Sequence, residues 1–197
     1  MGNEAIRIRL PASREELRSL RAGDEVLITG TVVTARDMAH KFMVEQRPEF
    51  LRPVLAGALI YHCGPIMVRE DDRWRVVSAG PTTSSREEPY QADVIANYGI
   101  GGVIGKGGMG EKTSAALQEH GAVYFHATGG AGSLLAKCVR EVRDVLMLEE
   151  FGVPEAFWVL EVEDFPSVVT MDATGASLHR KVLEASRARW QELLGTK

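Results

Sequence analysis

Cysteine is scarce in this 197-residue sequence, and no long apolar run occurs in it. The two cysteines, Cys63 and Cys138, lie far apart, so they provide neither a disulfide framework nor the ligands of a four-cysteine cluster. No segment approaches the roughly 20 apolar residues of a membrane span. The N-terminal residues also lack the apolar core of a signal peptide. These absences predict a protein of a reducing compartment, the cytoplasm.

A strong excess of one charge is missing as well, because the formal net charge is only −4. The chain as a whole therefore lacks the basic character that attracts nucleic acid or acidic membranes. Its histidines show no metal-ligand spacing such as H-E-x-x-H. Without repeats, low-complexity segments or linkers, residues 1–197 predict a single domain, with 1–22 as a peripheral N-terminal segment and 176–197 as a C-terminal helix.

Strand-like and helix-like segments alternate along the chain, which predicts the α/β class. Ser13, with Glu16 three residues later, is typical of the capping box of a first helix. The sequence then predicts strands at 25–34, 58–63, 74–78 and 122–127, helices at 35–46, 87–98, 111–120 and 133–148, further strands at 157–162 and 168–172, and an amphipathic helix at 177–194.

Cationic and hydroxyl side chains occur in the predicted loops and at element ends, where α/β proteins place their sites. They are Arg36, the residues Thr82, Thr83 and Arg86 of GPTTSSR, and Lys106. Two forked guanidiniums match carboxylates, and a lysine adds a third positive charge. If these groups converge without paired carboxylates, an anion such as a dicarboxylic acid would offset their repulsion. The alternative is that the arginines are solvated surface groups.

The glycine-rich stretch GIGGVIGKGGMG spans Gly99 to Gly110. Its Gly105, Gly107 and Gly110 satisfy G-x-G-x-x-G between a possible strand and a helix, as in a dinucleotide-binding loop. Against that interpretation, no acidic residue ends the next predicted strand, and Lys106 is followed by glycine rather than the Ser or Thr of a phosphate-binding loop. A nucleotide-binding oxidoreductase and a simple tight turn both remain open alternatives.

The motifs, taken as an ordered set, resemble the β subunit of class I fumarases and L-tartrate dehydratases, which is also the C-terminal domain of fused fumarases. The resemblance runs from about Gly23 to Phe165. Its motifs are TARDMAHKF, a Gly-Pro after a strand, GPTTSSR, IGKGGM, AVYFHATGGAGSLLAK and LEVEDFPSVV. It implies a swivelling β/β/α domain. It also implies an α subunit that carries a 4Fe–4S cluster, whose open iron acts as a Lewis acid, and a β–β dimer within an α2β2 complex.

The resemblance also implies roles for individual residues. Arg36, Arg86 and Lys106 match the carboxylate-binding positions, with Thr83 and His40 expected nearby in the substrate site. Thr82 matches the position proposed to take the proton from carbon. A threonine hydroxyl is a poor base, so it would have to act as an alkoxide stabilised by neighbouring cations. Asp37 is a second acid/base candidate or an orienting carboxylate for Arg36, unless it only favours the start of a helix.

The function expected from this resemblance is reversible hydration of fumarate to L-malate by a hydro-lyase that needs its α subunit. The β subunit of an L-tartrate dehydratase or a mesaconase is the alternative within the same class. A nucleotide-dependent enzyme that uses the Gly105–Gly110 loop and a non-catalytic scaffold subunit are the alternatives from other classes.

Overall fold

The computed structural model describes residues 4–195 of the chain. Those parts of the predicted terminal segments that fall on residues 1–3 and 196–197 lie outside the described residues. The strands, in chain order, are β1 (Ile6–Arg9), β2 (Glu25–Thr34), β3 (Leu59–Tyr61), β4 (Ile66–Glu70), β5 (Arg73–Ser78), β6 (Gly102–Gly105), β7 (Val123–His126), β8 (Val139–Leu146) and β9 (Phe157–Met171).

The helices surround these strands. They are α1 (Arg14–Ser19), α2 (Asp37–Gln46), α3 (Arg52–Leu55), α4 (Glu88–Tyr98), α5 (Glu111–His120), α6 (Gly132–Ala136), α7 (Leu148–Phe151) and α8 (Leu178–Leu194), with 3₁₀ turns at Glu49–Leu51 and Ser84–Arg86. Ser13 caps α1 as predicted, since its hydroxyl accepts a hydrogen bond from the backbone N–H of Glu16 at 3.1 Å.

The main sheet is mixed and closes on itself. Strands β2, β3, β6 and β7 lie side by side and run parallel. Strand β9 runs antiparallel to them and pairs with β7 and β2, which joins the two ends of the parallel series into a barrel. Strand β1 extends the sheet beside β2, and β8 extends it beside β9. A compact α/β domain was predicted, and this architecture confirms it.

Side chains of the barrel strands alternate between two apolar cores, as the period of a β-strand requires. On β7, Val123 and Phe125 belong to the core inside the barrel, whereas Tyr124 belongs to the core under the helices. Trp158 from β9 is fully buried in the inner core. The outer core is filled by the inward faces of α2, α4 and α5, so these helices are fixed against the parallel strands.

The helix predicted at 133–148 is wrong. The structure instead has the short helix α6 followed by β8, which pairs with β9. Val139, Val142 and Val145 recur every third residue, which is typical of a helix. Two irregularities in the β8–β9 register, between 139 and 141 and between 142 and 144, insert one extra residue each. Such bulges shift the alternation, so a helix-like spacing is compatible with an irregular strand.

Strand β9 was predicted as two strands, at 157–162 and 168–172, separated by Asp164-Phe165-Pro166. The structure shows one strand of 15 residues that continues through this segment. Asp164 has a positive φ of 49°, and the register against β2 shifts close by, opposite Gly30. The segment Asp164-Phe165-Pro166 therefore marks a bend within β9, and the pairing of β9 with β2 continues across this bend. Two further strands were not predicted from the sequence: β1, which pairs with β2, and β4, which forms a hairpin with β5.

The two terminal segments differ in how they join the barrel. Within residues 4–22, β1 pairs with β2, and Ile8, Leu17 and Leu20 are buried in the inner core. Helix α8 begins at Leu178, one residue after the predicted Ser177, which caps it, but α8 buries none of its side chains, and Trp190 is 61% exposed. No helix in the described part of the chain is long and apolar enough to cross a membrane.

Candidate active site

The carboxyl ends of the parallel strands meet at one edge of the barrel, and the predicted site residues follow them. Arg36 comes just after β2, and Lys106 comes directly after β6. His62 and Cys63 follow β3. They lie between the ends of β2 and β6, because β3 pairs with both of those strands. This edge is where open α/β sheets bind ligands, and here the register fixes the order of the groups along it.

The loop that carries Thr82, Thr83 and Arg86 is bound to this same edge. The backbone N–H of Thr82 donates to the carbonyl of His62 at 2.7 Å, and that of Ser84 donates to the carbonyl of Lys106 at 3.0 Å. Thr83 also forms a parallel bridge with Lys106. The loop therefore extends the sheet between two strand ends and brings its threonines beside the lysine.

Arg36 and Arg86 each have a carboxylate partner. Nε of Arg36 lies 3.3 Å from Glu155, and the other oxygen of Glu155 accepts from the backbone N–H of Met38 at 3.2 Å. Glu155 thus both pairs with Arg36 and caps the first turn of α2, where Arg36 itself provides no side-chain cap. Arg86 donates from its terminal Nη2 to Oδ2 of Asp37.

From the sequence, Asp37 was a candidate orienting carboxylate for its neighbour Arg36. In the structure it pairs with Arg86 instead. Burial opposes ionisation of Asp37, yet its backbone N–H, a contact with Glu87 and the guanidinium of Arg86 together lower its pKa. Asp37 therefore stays ionised and anchors Arg86 at one nitrogen. The side chain of Arg86 is 53% exposed, and its guanidinium has further N–H donors that Asp37 does not use.

Thr82 and Lys106 have no such partners. Oγ1 of Thr82 is buried and makes no hydrogen bond among residues 4–195. Lys106 is half-buried and forms no ion pair or side-chain hydrogen bond in the described part of the chain. A Cβ atom on Gly129 would lie 3.7 Å from Nζ of Lys106, so the loop after β7 leaves the lysine little spare room. Thr83 is exposed beside them.

His40 does not lie with Thr82, Thr83 and Lys106, although it was expected in the substrate site. It is fully buried, with Nδ1 at 2.8 Å from the carbonyl of Arg36 and Nε2 at 2.9 Å from the side-chain amide of Gln91. Nε2 of His62 lies 2.8 Å from the same amide. His40 therefore belongs to a buried polar cluster beneath the site, and it supports the start of α2 from behind.

The cluster continues from His62 to the threonine loop. Nδ1 of His62 lies 2.9 Å from Oγ of Ser84, which in turn lies 2.8 Å from the hydroxyl of Tyr124. All three side chains are buried. A Cβ atom on Gly105 would lie 2.0 Å from Oγ of Ser84 and 2.9 Å from the Tyr124 hydroxyl, so glycine at this position lets the strand that presents Lys106 approach the cluster.

Burial keeps both histidines of the cluster neutral, since desolvation lowers the pKa of His40 and lowers that of His62 still more, with His40 as a second cause. A neutral His40 that donates from Nδ1 to the Arg36 carbonyl must accept at Nε2. In the structure, Oε1 of Gln91 faces Nε2 of both rings, and the NH₂ group of Gln91 is buried without a partner among residues 4–195. Only an exchange of the two amide atoms would give a neutral His40 the donor that its Nε2 needs.

The glycine loop after β6 does not leave a free helix N-terminus. Gly107 and Gly108 both have positive φ, of 81° and 77°, which favours glycine over other residues. At the start of α5, the carboxylate of Glu88 accepts hydrogen bonds from the backbone N–H of Gly110 at 2.7 Å and from the hydroxyl of Thr113 at 2.7 Å. A carboxylate therefore already holds the place where a dinucleotide fold binds its pyrophosphate.

Sequence reasoning missed Glu87, Gln91 and Glu155. For the first two a signal was available, since Glu87 and Gln91 share a helical spacing with Val94, Ile95 and Tyr98 of the buried face of α4. A polar residue on a core-facing stripe needs a partner inside the fold. Glu155 has no such signal, because it lies in a turn that approaches α2 only through the tertiary fold.

The cysteines do not form a metal site. Burial raises the pKa of Cys63 to about 12, so it remains a thiol. Cys138 lies elsewhere, near the carbonyl of Asp164 at 3.9 Å. Among the described residues, no three His, Cys, Asp or Glu side chains come close enough to hold a metal ion. This donor set does not fit an iron–sulfur cluster.

Comparison with known proteins assigns the chain to a family. The family described as Fumarase C-terminus matches residues 1–182, and the chain belongs to it. The resemblance found in the motifs is thereby confirmed.

Individual relatives are similar along most of this chain. A protein of Geobacillus stearothermophilus, provisionally named fumarate hydratase class I, is 49% identical over 183 residues, which cover 92% of this chain but 35% of the relative. A provisionally named L(+)-tartrate dehydratase subunit β of Methanocaldococcus jannaschii is 39% identical over 93% of this chain and 95% of the relative. The L(+)-tartrate dehydratase subunit β of Escherichia coli is 38% identical over 85% and 83%. This chain therefore spans about a third of the first of these relatives.

Proposed function

We propose that this chain supplies the carboxylate-binding and proton-abstracting half of a hydro-lyase active site, with reversible hydration of fumarate to L-malate as its reaction. The observation that supports the proposal is the attachment of the Thr82–Arg86 loop, through backbone hydrogen bonds to His62 and Lys106, to the barrel edge where Arg36 follows β2, with Oγ1 of Thr82 buried and unpartnered among residues 4–195. A small dicarboxylate has the charge and the acceptor oxygens to satisfy these donors.

In this proposal the two arginines and the lysine bind the substrate carboxylates. Arg86 is held by Asp37 through one nitrogen, which leaves its other N–H groups in a fixed orientation for a carboxylate. Arg36 forms an ion pair with Glu155, with Nε 3.3 Å from the carboxylate but no hydrogen bond from that nitrogen among residues 4–195. Lys106, without a described partner, adds a positive charge that the substrate neutralises. Groups held in advance lose little conformational freedom when substrate binds.

Thr82 is the proposed acceptor of the proton from the carbon next to a carboxylate. Its hydroxyl would act as an alkoxide, which requires positive charge nearby to lower the hydroxyl pKa. Lys106 is positioned for that role, because the loop of Thr82 is bonded to the end of β6. The other half of the site would come from outside this chain.

In this proposal, the 4Fe–4S cluster and its protein ligands lie on polypeptide outside this chain. Two relatives of similar length are named as β subunits, and the first relative is about three times as long as the matched region. We infer that an α subunit, or a further part of a longer polypeptide, carries the 4Fe–4S cluster, because the donor set of this chain does not fit one. An α2β2 complex with a β–β contact, located in the cytoplasm, completes the proposal.

Dehydration of L-tartrate to oxaloacetate is the second candidate reaction. It is favoured by a specific observation: the relatives that this chain covers nearly from end to end are L(+)-tartrate dehydratase β subunits. The two reactions use the same groups on this chain, since both substrates are small dicarboxylates. Assays of the assembled enzyme with fumarate, L-tartrate and mesaconate would distinguish them.

The nucleotide-binding alternative predicts micromolar binding of NAD or NADP, which a titration of the chain would detect. Glu88 argues against it, because its carboxylate already occupies the N-terminus of α5. The scaffold alternative predicts full turnover by the partner alone. Our proposal predicts no hydratase activity from either part alone and activity after the two are combined.

The most direct test of the site is Arg86→Ala in the assembled enzyme. Loss of a charged partner for a substrate carboxylate should reduce kcat/KM by about 100-fold, since a charge-assisted hydrogen bond contributes about 1.5–3 kcal/mol. Arg75→Ala is the matched control, because Arg75 is an exposed arginine on β5 that pairs with Glu70. Near-normal kcat/KM for Arg86→Ala would remove Arg86 from the site.

A further inference from the structure

Glu87, the residue after Arg86, has no role in the site as described so far. Its side chain is fully buried, and neither of its carboxyl oxygens has a hydrogen-bond partner among residues 4–195. Oδ1 of Asp37, the carboxyl group beside it, is also buried without a partner in that range. Polar atoms that are buried in this way need an explanation, because an ionised carboxylate loses its hydration and gains nothing in exchange.

The groups that face Glu87 do not supply a free positive charge. Arg86 is already paired with Asp37. Nδ1 of His62 lies 3.9 Å from Oε2 of Glu87, but burial keeps this imidazole neutral. The other titratable groups near this pocket are His40, which is also buried and neutral, and Tyr124, whose pKa is raised by burial and further by Glu87. An ionised Glu87 would therefore face the carboxylate of Asp37 without a cation of its own.

We propose that Glu87 is a positioning residue that keeps a proton at neutral pH and donates it to Oδ1 of Asp37, so that Asp37 can hold Arg86 through Oδ2. One proton on Glu87 gives both orphaned carboxyl groups a hydrogen bond. The pair then carries a single negative charge, which the guanidinium of Arg86 balances. The consequence for substrate binding rests on the function proposed above.

The electrostatics agree with this arrangement. Burial first, and then the neighbouring Asp37, raise the pKa of Glu87 to about 8, while the pKa of Asp37 is lowered. Near and above pH 8, Glu87 loses its proton and the two carboxylates repel each other. Asp37 can then no longer hold Arg86 in one orientation. Because Arg86 binds substrate in the proposed site, KM should rise with pH while kcat changes less.

Kinetics of the assembled enzyme test the effect on Arg86. In the wild type, KM for the dicarboxylate should rise at least about threefold between pH 7 and pH 9, as expected for ionisation near pH 8. Glu87→Gln keeps a donor but cannot ionise, so this rise should disappear. Glu87→Leu removes the donor and should raise KM about tenfold at every pH, because an anchored charge-assisted hydrogen bond is lost. Asp93→Asn, an exposed acid on the same helix, is the matched control.

An unchanged alkaline rise of KM in Glu87→Gln would overturn the proposal. If Glu87→Leu does not fold, the wild type and Glu87→Gln still decide the matter. The kinetic test depends on the proposed function. A second measurement is therefore needed that is independent of that function.

That second measurement is ¹³C NMR of glutamate carboxyl carbons in the full chain. The Glu87 resonance is the one that Glu87→Gln removes, and its titration midpoint should lie near pH 8. A midpoint near the ordinary value of 4.5 would overturn the proposal, whatever reaction the enzyme catalyses. Conversely, a wild-type complex that turns over no dicarboxylate would refute the proposed function and leave the NMR result to decide the protonation of Glu87.

Discussion

The two sides of the candidate site differ in how their polar groups are satisfied. On the arginine side, Glu155 pairs with Arg36 and Asp37 pairs with Arg86, although Nε of Arg36 and Oδ1 of Asp37 have no hydrogen-bond partner among residues 4–195. On the other side, Lys106 and the hydroxyl of Thr82 have no polar partner in the described part of the chain. Both sides rest on the same buried cluster, to which His62 and Ser84 belong.

This difference suggests a division of roles within one site. The arginine side is oriented by the protein before any ligand arrives, and so it fixes where a carboxylate can bind. The lysine and threonine side is left unsatisfied, so a ligand that reaches it provides interactions the free protein lacks. A reacting group belongs on that side, because a hydroxyl already bonded within the protein would first have to be released.

Thr82→Val gives the sharpest test of this division and the largest expected effect. The substitution keeps the shape of the side chain and removes the hydroxyl, so turnover should fall about 10³-fold, as for loss of a proton-transfer group. KM should change little, because the arginines remain in place. Thr82→Ser restores a hydroxyl and is the matched control. Turnover of Thr82→Val within a few-fold of wild type would contradict the proposed role.

Lys106→Met should have the next largest effect. With no internal partner to lose, the variant should differ from wild type by less than about 0.5 kcal/mol in the free energy of unfolding, as for a surface substitution. Its kcat/KM should nevertheless fall about 10²-fold, because a charged partner of the substrate is lost. Urea unfolding of the chain and steady-state kinetics of the assembled enzyme measure the two quantities. A large loss of stability would show that Lys106 has a structural partner instead.

Glu155→Gln should have the smallest effect, and it tests the arginine side. The change removes the negative charge beside Arg36 but keeps an oxygen that can accept from the backbone of Met38. A partly exposed ion pair of this kind contributes up to about 1 kcal/mol, so KM should rise about threefold with kcat nearly unchanged. Glu163→Gln is the control, since Glu163 pairs with the exposed Arg140. A fall in kcat as large as that of Thr82→Val would erase the distinction between the sides.

Several elements could be predicted because their signals are local. The strand at 25–34 agrees with β2 residue by residue, since its β-branched run is bounded by Gly23-Asp24 and by Arg36. The helix at 111–120 agrees with α5 in the same way, between Gly110 and Gly121. Strand β8 was predicted wrongly, because bulges against β9 produce a spacing that a local pattern cannot distinguish from a helix.

For the candidate site, the sequence indicated which side chains to consider but not how they are paired. The structure places Arg36, Thr82, Arg86 and Lys106 in segments that follow or border the strand ends at one edge of the barrel. Both arginines have carboxylate partners, and the one offered from the sequence, Asp37, pairs with Arg86 rather than with Arg36. Glu155 is distant from Arg36 in the sequence, and their contact exists only because β9 returns antiparallel beside β2.

The sequence by itself determined the α/β class, the family and the positions of elements such as β2 and α5, because these depend on local periodicity and on residue order. The tertiary structure decided which groups are satisfied and which are not. It placed His40 under the site rather than in it, and it buried Glu87 against Asp37. Hydrogen bonding and burial are properties of atoms brought together from distant positions, so they arise only when β9 closes the barrel and α2 and α4 pack beside each other.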